Sequence, residues 1–255
     1  MRERLVVYTC VTAAYDDIMP PLIVEPAIDY VCFTDQPVDG LPVWVHASLP
    51  IDTGNAAANN RFVKMHPHLL FPDHEISVYI DGNIQPVGGI ADLARSAMER
   101  GNIALYQHPL RDCIYAEAAA CAEIGHDWPW HIAAQMRRYR RDGFPPKSGL
   151  FEANVIIRRH HAPEVRILMD AWWQAYRSGV PRDQLSLTYV AWKTGVKITS
   201  LGPSDPRGEQ RHFVLKNTPR TRRPMRIRLR GWFIRKALVP ILRVFHKDFT
   251  AMFLT

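Results

Sequence analysis

The stretch Ser77-Val78-Tyr79-Ile80-Asp81-Gly82-Asn83-Ile84 decides how the rest of this sequence is interpreted. The largely apolar run that ends at Ile80 predicts a strand buried on both faces. An aspartate follows it, then a glycine that lets the backbone turn closely, then a second side-chain oxygen. In open α/β sheets, ligands bind beyond the carboxyl ends of the strands, so Asp81 and Asn83 are candidate ligand contacts.

Apolar runs and amphipathic segments alternate along much of the chain. We predict strands at 5–12, 29–34, 41–47, 75–80, 103–107, 154–158 and 196–200. We predict helices at 59–70, 90–100, 115–125, 130–141, 164–178 and 184–193. This alternation predicts a single α/β domain in which helices flank a mainly parallel, doubly wound sheet.

The charge of the chain is divided unevenly along its length. The 255 residues carry 32 Lys and Arg against 25 Asp and Glu, a net charge of +7. Residues 219–255 hold ten of the basic residues and one acid, so this part carries +9 and residues 1–218 carry −2. The nearly neutral body argues against nucleic acid as a partner. We therefore divide the chain into an α/β domain, 1–218, and a basic tail, 219–255.

The sequence also bears on where the protein resides. Its four cysteines include no C-x-x-C pair, which favours reduced thiols in a reducing compartment. The apolar run near Met1 is too short for a signal peptide, and no run approaches the roughly 20 apolar residues that span a bilayer. We expect a cytoplasmic protein, attached peripherally to the inner face of the cell membrane.

The tail combines basic and apolar residues at helical spacing. Basic and apolar residues alternate from Met225 to Arg230, and an apolar stripe interrupted by Pro240 follows. The stripe consists of Ile234, Leu238, Ile241, Leu242, Phe245 and Phe249. This pattern favours binding in the plane of an anionic membrane surface. The same stripe would also serve a tail helix packed on the domain, so both interpretations stay open.

Polar residues follow three of the predicted strands. Tyr15, Asp16 and Asp17 come after the first strand, Asp35 after the second, and Asp81 after the fourth segment of the sheet. Aspartate favours turns by itself, and this plain interpretation applies to each cluster taken singly. Because parallel strands carry their carboxyl ends to one edge of a sheet, the clusters together argue for a shared binding site.

The spacing of Asp81 and Asn83 suggests a metal. Two side-chain oxygens two residues apart can approach a hard cation, Mn²⁺ or Mg²⁺, that also bridges substrate phosphates. Asn83, however, supplies a neutral amide oxygen, so the pair carries one negative charge instead of two. The pattern therefore predicts a divalent-metal site but leaves strict metal dependence open.

Six motifs, in order along the chain, match one family. They are Phe33-Thr34-Asp35, Asn60-Arg61-x-x-Lys64-x-x-Pro67-His68, the stretch from Ile80 to Ile84, His108-x-x-Arg111-x-Cys113-x-Tyr115-x-Glu117-Ala118, Gly149-Leu150-x-Glu152-x-Asn154-x-x-x-Arg158 and Arg182-Asp183-Gln184-Leu185-Ser186. They resemble the TOD/MUCI glycosyltransferase-like domain family, which is distantly similar to family-eight glycosyltransferases. The resemblance runs from about Leu5 to about Lys216 and leaves the tail out. It implies a GT-A-like fold and sugar transfer from a nucleotide-sugar donor, with residues 81–83 as a D-x-D-like motif.

Side-chain chemistry and the resemblance together suggest how the nucleotide-sugar donor binds. The predicted nucleoside contacts are Thr9, Tyr15, Asp16 and Asp35, since an aspartate accepts hydrogen bonds from a base or a ribose. Arg61 and Lys64 lie three residues apart on one helical face, where they would meet the donor diphosphate or Asp81. A solvated basic face is the alternative. The resemblance loosely implies His212 as a third metal ligand and Lys216 as a diphosphate contact.

Two further groups are assigned to the acceptor and to catalysis. The predicted acceptor contacts are His108, Arg111, Tyr115 and Glu117, although a helix start with a capping carboxylate would have the same composition. Glu152 is the first candidate for the carboxylate beside the sugar, either as a base for the acceptor hydroxyl or as a stabiliser of oxocarbenium-like charge. Asp183 and Gln184 are further catalytic candidates, and the plain interpretation of Asp183 is a helix N-cap.

The leading hypothesis is a glycosyltransferase that acts on a saccharide or a lipid-linked saccharide. A metal-assisted hydrolase of a lipid or glycan would use the same Asp81 site, but the histidines lack the clustered spacing of zinc hydrolases. A non-catalytic, membrane-associated binding module is the third hypothesis. It would not require so many polar groups at the strand ends, where burying each one costs desolvation energy.

Overall fold

The computed structural model describes residues 3–36, 43–217, 225–245 and 251–254. Within these ranges the strands are β1 (Leu5–Val11), β2 (Ile28–Thr34), β3 (Val45–Ala47), β4 (Ile76–Asp81), β5 (Ile84–Pro86), β6 (Ile103–Gln107), β7 (Phe151–Arg158), β8 (Thr199–Ser200) and β9 (Phe213–Leu215). The helices of the domain are α1 (Ala56–Met65), α2 (Pro67–Leu70), α3 (Ile90–Glu99), α4 (Ile114–Glu123), α5 (Pro129–Arg141), α6 (Pro163–Ser178) and α7 (Gln184–Thr194). The tail forms α8 (Met225–Phe233), a π-helical segment (Ile234–Leu238), α9 (Val239–Phe245) and α10 (Ala251–Leu254).

Seven strands form one twisted sheet in the order β3-β2-β1-β4-β7-β6-β8. The central strand β1 runs parallel to β2 and β4, and β6 runs parallel to β8. Only β7, among the strands of this sheet, pairs antiparallel with both of its neighbours. The predicted fold class, a mainly parallel sheet flanked by helices, is confirmed.

Helices cover both faces of the sheet, which explains the continuous apolar runs of its strands. On one face, Tyr8 and Tyr79 join a core cluster with residues of α1 and α4–α7. On the other face, Val7 and Val78 join a second cluster with α3 and β9. Successive side chains of a strand alternate between faces, so Asp81, two residues after Tyr79, lies on the face that α1 and α7 cover.

The helix predicted over 59–70 is in fact two helices. The first, α1, begins three residues earlier because Asn55 caps it, its side-chain oxygen accepting from the amides of Ala57 and Ala58. It ends before Pro67, whose missing amide hydrogen interrupts the helical hydrogen bonds and which opens α2. The shift extends α1 toward the carboxyl edge of the sheet, where Thr12 donates to the carbonyl of Ala56 at 2.9 Å.

A small two-stranded sheet was not predicted. β5 and β9 are three residues each and pair antiparallel, with Ile84 opposite Leu215 and Pro86 opposite Phe213. Strands this short carry little periodic signal. Their pairing matters for the site, because it places the segment after β9 directly beside the 81–83 turn.

The tail packs against the domain. Ile234, Val239 and Phe253 belong to the same hydrophobic cluster as α4–α7, and Arg243 forms an ion pair with Glu123 at 2.6 Å. A Cβ atom built on Gly125 would lie 2.8 Å from the Cα atom of Gly231, so the two backbones approach as closely as glycine permits. In the described part of the chain, no helix is long and apolar enough to cross a membrane.

The apolar stripe of the tail therefore does not form a single free surface. Ile234 is fully buried, Leu238 and Leu242 are half-buried against the core, and Ile241 is 53% exposed. The Phe249 position and the boundary at 218–219 lie outside the described residues. Packing on the domain, the second of the two interpretations of the stripe, is the arrangement that the structure contains.

Candidate active site

The turn after β4 lies against the loop after β1. A Cβ atom on Gly82 would lie 2.6 Å from Val11 and 3.0 Å from the Cβ atom of Asp16, so only glycine fits there. The close approach brings the Asp16 carboxylate beside the turn that holds Asp81 and Asn83. Two of the three strand-end clusters therefore meet, as the parallel sheet predicts.

Asp35, which follows the second strand, binds the backbone of that loop. Both carboxylate oxygens of Asp35 accept from the amide of Ala13, each at 3.0 Å. Ala13 and Ala14 have φ angles of 54° and 49°, a left-handed conformation that L-residues adopt only when contacts enforce it. Asp35 thus stabilises the loop that carries Tyr15 and Asp16.

The centre of the site is the ammonium group of Lys64, on α1. Its Nζ atom lies 2.7 Å from Asp183 Oδ2 and 3.2 Å from Asp81 Oδ1, and 5.0 Å above the ring centre of Tyr79. The side chain is only 1% exposed. A buried ammonium group between two carboxylates contradicts the alternative of a solvated basic face.

Asp183 joins this group from α7. Arg61 Nε lies 3.0 Å from Asp183 Oδ2, and Asp183 is 3% exposed. Burial raises the pKa of Asp183, but the positive charges of Arg61, Lys64 and Arg182 outweigh burial and hold that pKa well below its ordinary range. Although Asp183 stands at the N-cap of α7, its side chain caps no amide of that fully described helix. We call Arg61, Lys64, Asp81, Arg182 and Asp183 the ionic cluster.

A second group of charges adjoins the ionic cluster through Arg182. Arg111 Nε donates to Glu117 Oε2 at 2.6 Å, and His108 Nε2 lies 3.6 Å from the same oxygen. The pKa of Arg182 is raised above its ordinary value, because Cys121, Asp183 and Glu117 together raise it by more than burial lowers it. The charge of Arg182 therefore interacts with Asp183 of the ionic cluster and with Glu117 of the second group. Glu117 is 4% exposed and bound to these side chains, so it is more than the acid of a helix start.

Glu152 lies at the start of β7, opposite Tyr106 of β6. Arg207 Nε donates to Glu152 Oε1 at 2.6 Å, and the hydroxyl of Ser204 donates to Oε2. Burial lowers the pKa of His108 by more than the charges of Glu117 and Glu152 raise it. The predicted catalytic carboxylate is therefore at the same edge of the sheet, 5% exposed and paired with a half-exposed arginine.

The three predicted metal ligands do not converge. The amide of Lys216 donates to the carbonyl of Asn83 at 2.8 Å, whereas His212 lies at the other end of the β5–β9 ladder, its Nδ1 atom 3.0 Å from the carbonyl oxygen of Gly88. Across the described ranges, no group of three or more His, Cys, Asp or Glu side chains is placed to hold a metal ion. The structure thus places Asn83 beside the Lys216 backbone and His212 apart from both, and the divalent-metal site itself stays a prediction.

Two other predicted contacts lie inside the core. Thr9 is 2% exposed within β1. Tyr115 is fully buried and its hydroxyl donates to the carbonyl of Phe144 at 2.7 Å. Neither side chain reaches the site edge, so these positions give no support to a donor contact at Thr9 or an acceptor contact at Tyr115. Gln184, by contrast, faces the site and accepts from Arg182 at 3.0 Å.

Sequence reasoning assigned no role to three residues that shape the site. Arg158 is fully buried and donates to the carbonyl of Lys64 at 2.6 Å and to the hydroxyl of Tyr8, so it fixes the position of Lys64. An arginine at the end of an apolar strand was a usable signal, because a buried charge requires partners. Ser204 and Arg207, which bind Glu152, lie in a segment without a periodic pattern. The sequence therefore carried no signal for these two residues.

The sheet is mainly parallel and flanked by helices, and charged side chains gather at its carboxyl edge. These features define an α/β ligand-binding domain of the kind that many transferases share. Residues 44–202 match a family described as TOD1/MUCI70, glycosyltransferase-like domain. Since the match spans more than half of the chain, the protein belongs to the TOD1/MUCI70 family of glycosyltransferase-like domains.

One curated relative and two solved structures are similar to the chain. A probable hexosyltransferase MUCI70 from Arabidopsis thaliana is 25% identical over 242 residues, which cover 83% of this chain and 41% of the relative. The chain thus spans about two fifths of that relative's length. Mouse xyloside xylosyltransferase 1 in its apo form is 10% identical, with a TM-score of 0.46, over 78% of this chain and 84% of its own. The apo structure of the bifunctional glycosyltransferase WbbM is 9% identical, with a TM-score of 0.48, over 79% of this chain and 39% of its own.

Proposed function

We propose that the protein transfers a sugar from a nucleotide-sugar donor to a saccharide or lipid-linked saccharide acceptor. The observation that carries this proposal is the buried ionic cluster, in which Lys64 joins Asp81 and Asp183 at the carboxyl edge of the sheet. A buried charge costs several kcal/mol when it is unpaired, and such groups concentrate where a ligand has to be bound and activated. The family and its probable hexosyltransferase member support a glycosyl group as the one transferred.

The donor sugar is assigned to the ionic cluster itself. The carboxylates of Asp81 and Asp183 accept hydrogen bonds from sugar hydroxyls, and Lys64 and Arg61 donate them. Asp81 is partly open to solvent, its side chain 31% exposed, whereas Asp183 is closed. The sugar would therefore approach over Asp81, and Lys64 would hold Asp81 in place for it.

The diphosphate is assigned to Lys216. This residue is half-buried beside Asn83, and no carboxylate of the described residues lies within 4.0 Å of its ammonium group. With no carboxylate beside it in the described ranges, its positive charge is suited to bind a phosphate group, whose negative charge grows as the sugar leaves. Tyr15 and Asp16, on the loop that Asp35 supports, are assigned to the nucleoside.

The residues present do not fit a divalent-metal site. Asp81 already pairs with Lys64, Asn83 is neutral, and His212 faces Gly88. We therefore assign neutralisation of the leaving diphosphate to Lys216.

Glu152 is assigned to the acceptor. Arg207 is half-exposed and can move away from Glu152 when a sugar hydroxyl arrives, after which the carboxylate accepts the hydroxyl proton or stabilises the developing positive charge on the sugar ring. His108, Arg111 and Glu117 line the adjoining edge and would hold the rest of the acceptor. Gln184 and Asp183 stand between this region and the donor sugar.

The test is a transfer assay on the full chain. A panel of nucleotide sugars is incubated with oligosaccharide acceptors, and the released nucleoside diphosphate and the extended oligosaccharide are measured, with and without chelator. We expect both products in equal amounts with one donor, and no product from the Lys64→Met variant. Glycan or lipid cleavage without any nucleotide sugar would instead establish a hydrolase. Donor binding without transfer to any acceptor would support a binding module.

A further inference from the structure

The outer side of α8 carries an apolar stripe that faces solvent. Met225, Leu229 and Trp232 are 70%, 61% and 58% exposed. They follow one another by four and three residues, so they lie on one side of the helix. The opposite side of the tail, with Gly231 and Ile234, is buried against the domain. The tail is thus apolar on two sides, and the domain covers one of them.

Apolar side chains of the domain continue this stripe. Ile124 and Trp130 are 53% and 46% exposed, and Phe233 is 47% exposed. The ring of Trp128 stacks on Trp130 at 4.8 Å between centres and contacts Phe233 edge-on at 6.4 Å, which connects α5 to the tail. We call the set of exposed residues Ile124, Trp130, Met225, Leu229, Trp232 and Phe233 the tail surface. An open cavity of about 620 Å³ lies within it, lined by Ile124, Leu229, Trp232 and Arg228 among others.

The basic residues of the tail divide into two groups by position. Arg230 and Arg243 face the domain, where they pair with Asp127 at 3.3 Å and Glu123 at 2.6 Å. The residues Arg226, Arg228 and Lys236 are exposed around the tail surface, and Arg235 is also exposed there while it donates to the carbonyl of Ile124 at 3.0 Å. The tail contains one acid, Asp248, so its own composition does not neutralise them.

The apolar and basic residues of the tail surface together favour a membrane over a protein as its partner. A protein partner would have to cover the apolar stripe and also offer several acids around it, whereas an anionic bilayer offers both apolar depth and negative charge over any area. Trp and Phe rings next to Arg and Lys on one side of a helix match the interface between headgroups and acyl chains. We propose that the tail surface binds an anionic membrane, with Trp130, Leu229 and Trp232 inserted at the headgroup level.

The tail surface lies near the side of the active site that is assigned to the acceptor. Glu117 and Ile124 are seven residues apart on and just after α4, a rise of roughly 10 Å at 1.5 Å per residue. A protein held by the tail surface would therefore keep its acceptor side close to the bilayer. The membrane contact itself does not depend on the proposed sugar transfer.

Vesicle co-sedimentation of the full chain tests this inference. We expect the wild type to sediment with vesicles that contain phosphatidylglycerol and to stay in the supernatant with pure phosphatidylcholine. Binding should weaken as salt rises, because the Debye length falls to about 3 Å at 1 M. The variant Leu229→Ser/Trp232→Ser and the variant Arg226→Glu/Arg228→Glu should each lose about tenfold or more in partitioning.

Matched controls separate this effect from a general loss of surface apolarity or charge. Leu69→Ser changes a leucine on α2 of equal exposure, 61%, and Arg137→Glu/Arg141→Glu reverses the same number of exposed charges on α5. Both controls should bind as the wild type does. The proposal is overturned if the wild type does not bind anionic vesicles at low salt, if neutral vesicles bind equally, or if the Leu229/Trp232 variant binds normally. It is also overturned if the same variants dissolve a dimer of this chain instead.

Discussion

Lys64 and Asp183 form a buried ion pair of 2.7 Å between α1 and α7, although 119 residues separate them in the chain. Lys64 also reaches Asp81 at the tip of β4. One ammonium group thus connects two helices and the strand end that the sequence pattern singles out. Any change of Lys64 should therefore affect stability and donor binding together.

Replacing Lys64 by methionine keeps most of the length of the side chain above Tyr79 but removes the charge. Asp183 then keeps only arginine partners in a buried position, so we expect the free energy of unfolding to fall by about 3 kcal/mol and sugar transfer to be lost. Denaturant unfolding measures the first effect and the transfer assay the second. The control is Lys193→Met, which changes an exposed lysine paired with Asp142 at 3.4 Å. Equal unfolding curves for both variants would contradict the structural role of Lys64.

Asp81→Asn tests the strand tip as a donor contact. The amide keeps the size of the side chain, and the 31% exposed position contributes little to the core, so the melting temperature should change little. Donor affinity should fall roughly tenfold or more, because a hydrogen bond to a charged group contributes about 1.5–3 kcal/mol. Calorimetric titration with the active nucleotide sugar measures the affinity. Asp92→Asn, at a 96% exposed side chain of α3, is the control, and unchanged affinity in Asp81→Asn would identify the motif as a turn only.

Asn83→Asp tests whether sugar transfer depends on a divalent metal ion. The wild-type turnover should persist in the presence of a chelator, because Asp81 pairs with Lys64 and the described residues contain no group of three His, Cys, Asp or Glu side chains that could hold a metal ion. The substitution restores a second carboxylate next to Asp81 and should introduce stimulation by Mn²⁺. Turnover is measured over a manganese titration for both proteins. A wild type that loses its activity with chelator and regains it with Mn²⁺ would restore the original metal hypothesis.

Glu152→Gln should lower turnover about 100-fold or more while donor affinity stays the same. The amide still accepts from Ser204 and Arg207 but cannot take a proton or supply a full negative charge. Steady-state kinetics at saturating donor separates the two parameters. Glu164→Gln, at an exposed side chain of α6 bound to Asn102, is the control. Reduced donor affinity with normal turnover at saturation would make Glu152 a binding residue.

His160 predicts how stability depends on pH. Burial, together with the charges of His161 and Arg158, lowers the pKa of His160 to about 4 although the carbonyl of Phe71 accepts from it. Between that value and the ordinary value of about 6.5, the unfolded chain binds a proton that the folded chain does not, so stability falls as the pH falls through this range.

The variant His160→Gln removes this proton linkage. Its free energy of unfolding should change by about 3 kcal/mol less than that of the wild type between pH 7 and pH 4. Denaturant unfolding at several pH values measures the difference, with His131→Gln, a 57% exposed side chain, as the control. Parallel pH profiles of the wild type and His160→Gln would show that folding does not lower the pKa of His160.

The sequence by itself determined the strands β1, β2 and β4 and their polar ends. The apolar runs of β1, β2 and β4 are local patterns, and a strand that is buried on both faces cannot place its aspartate anywhere but beyond its end. For the same reason Asp81 and the loop of Asp16 were predicted to meet. The helices α3, α5 and α6 were predicted within about two residues, because their apolar spacing repeats over ten or more residues.

Only the tertiary structure decided which charges meet. Lys64, Asp81 and Asp183 lie on three elements that no local pattern connects, and Arg158 fixes Lys64 from a fourth. Tyr115 and Thr9 have polar groups like those of site residues, yet the core encloses them. The tail shows the same limit, since its sequence contains apolar residues on two sides and only packing on α4 and α5 selects which side is covered. Pairing between distant segments depends on shape and on the partners available after folding, which a single stretch of sequence does not encode.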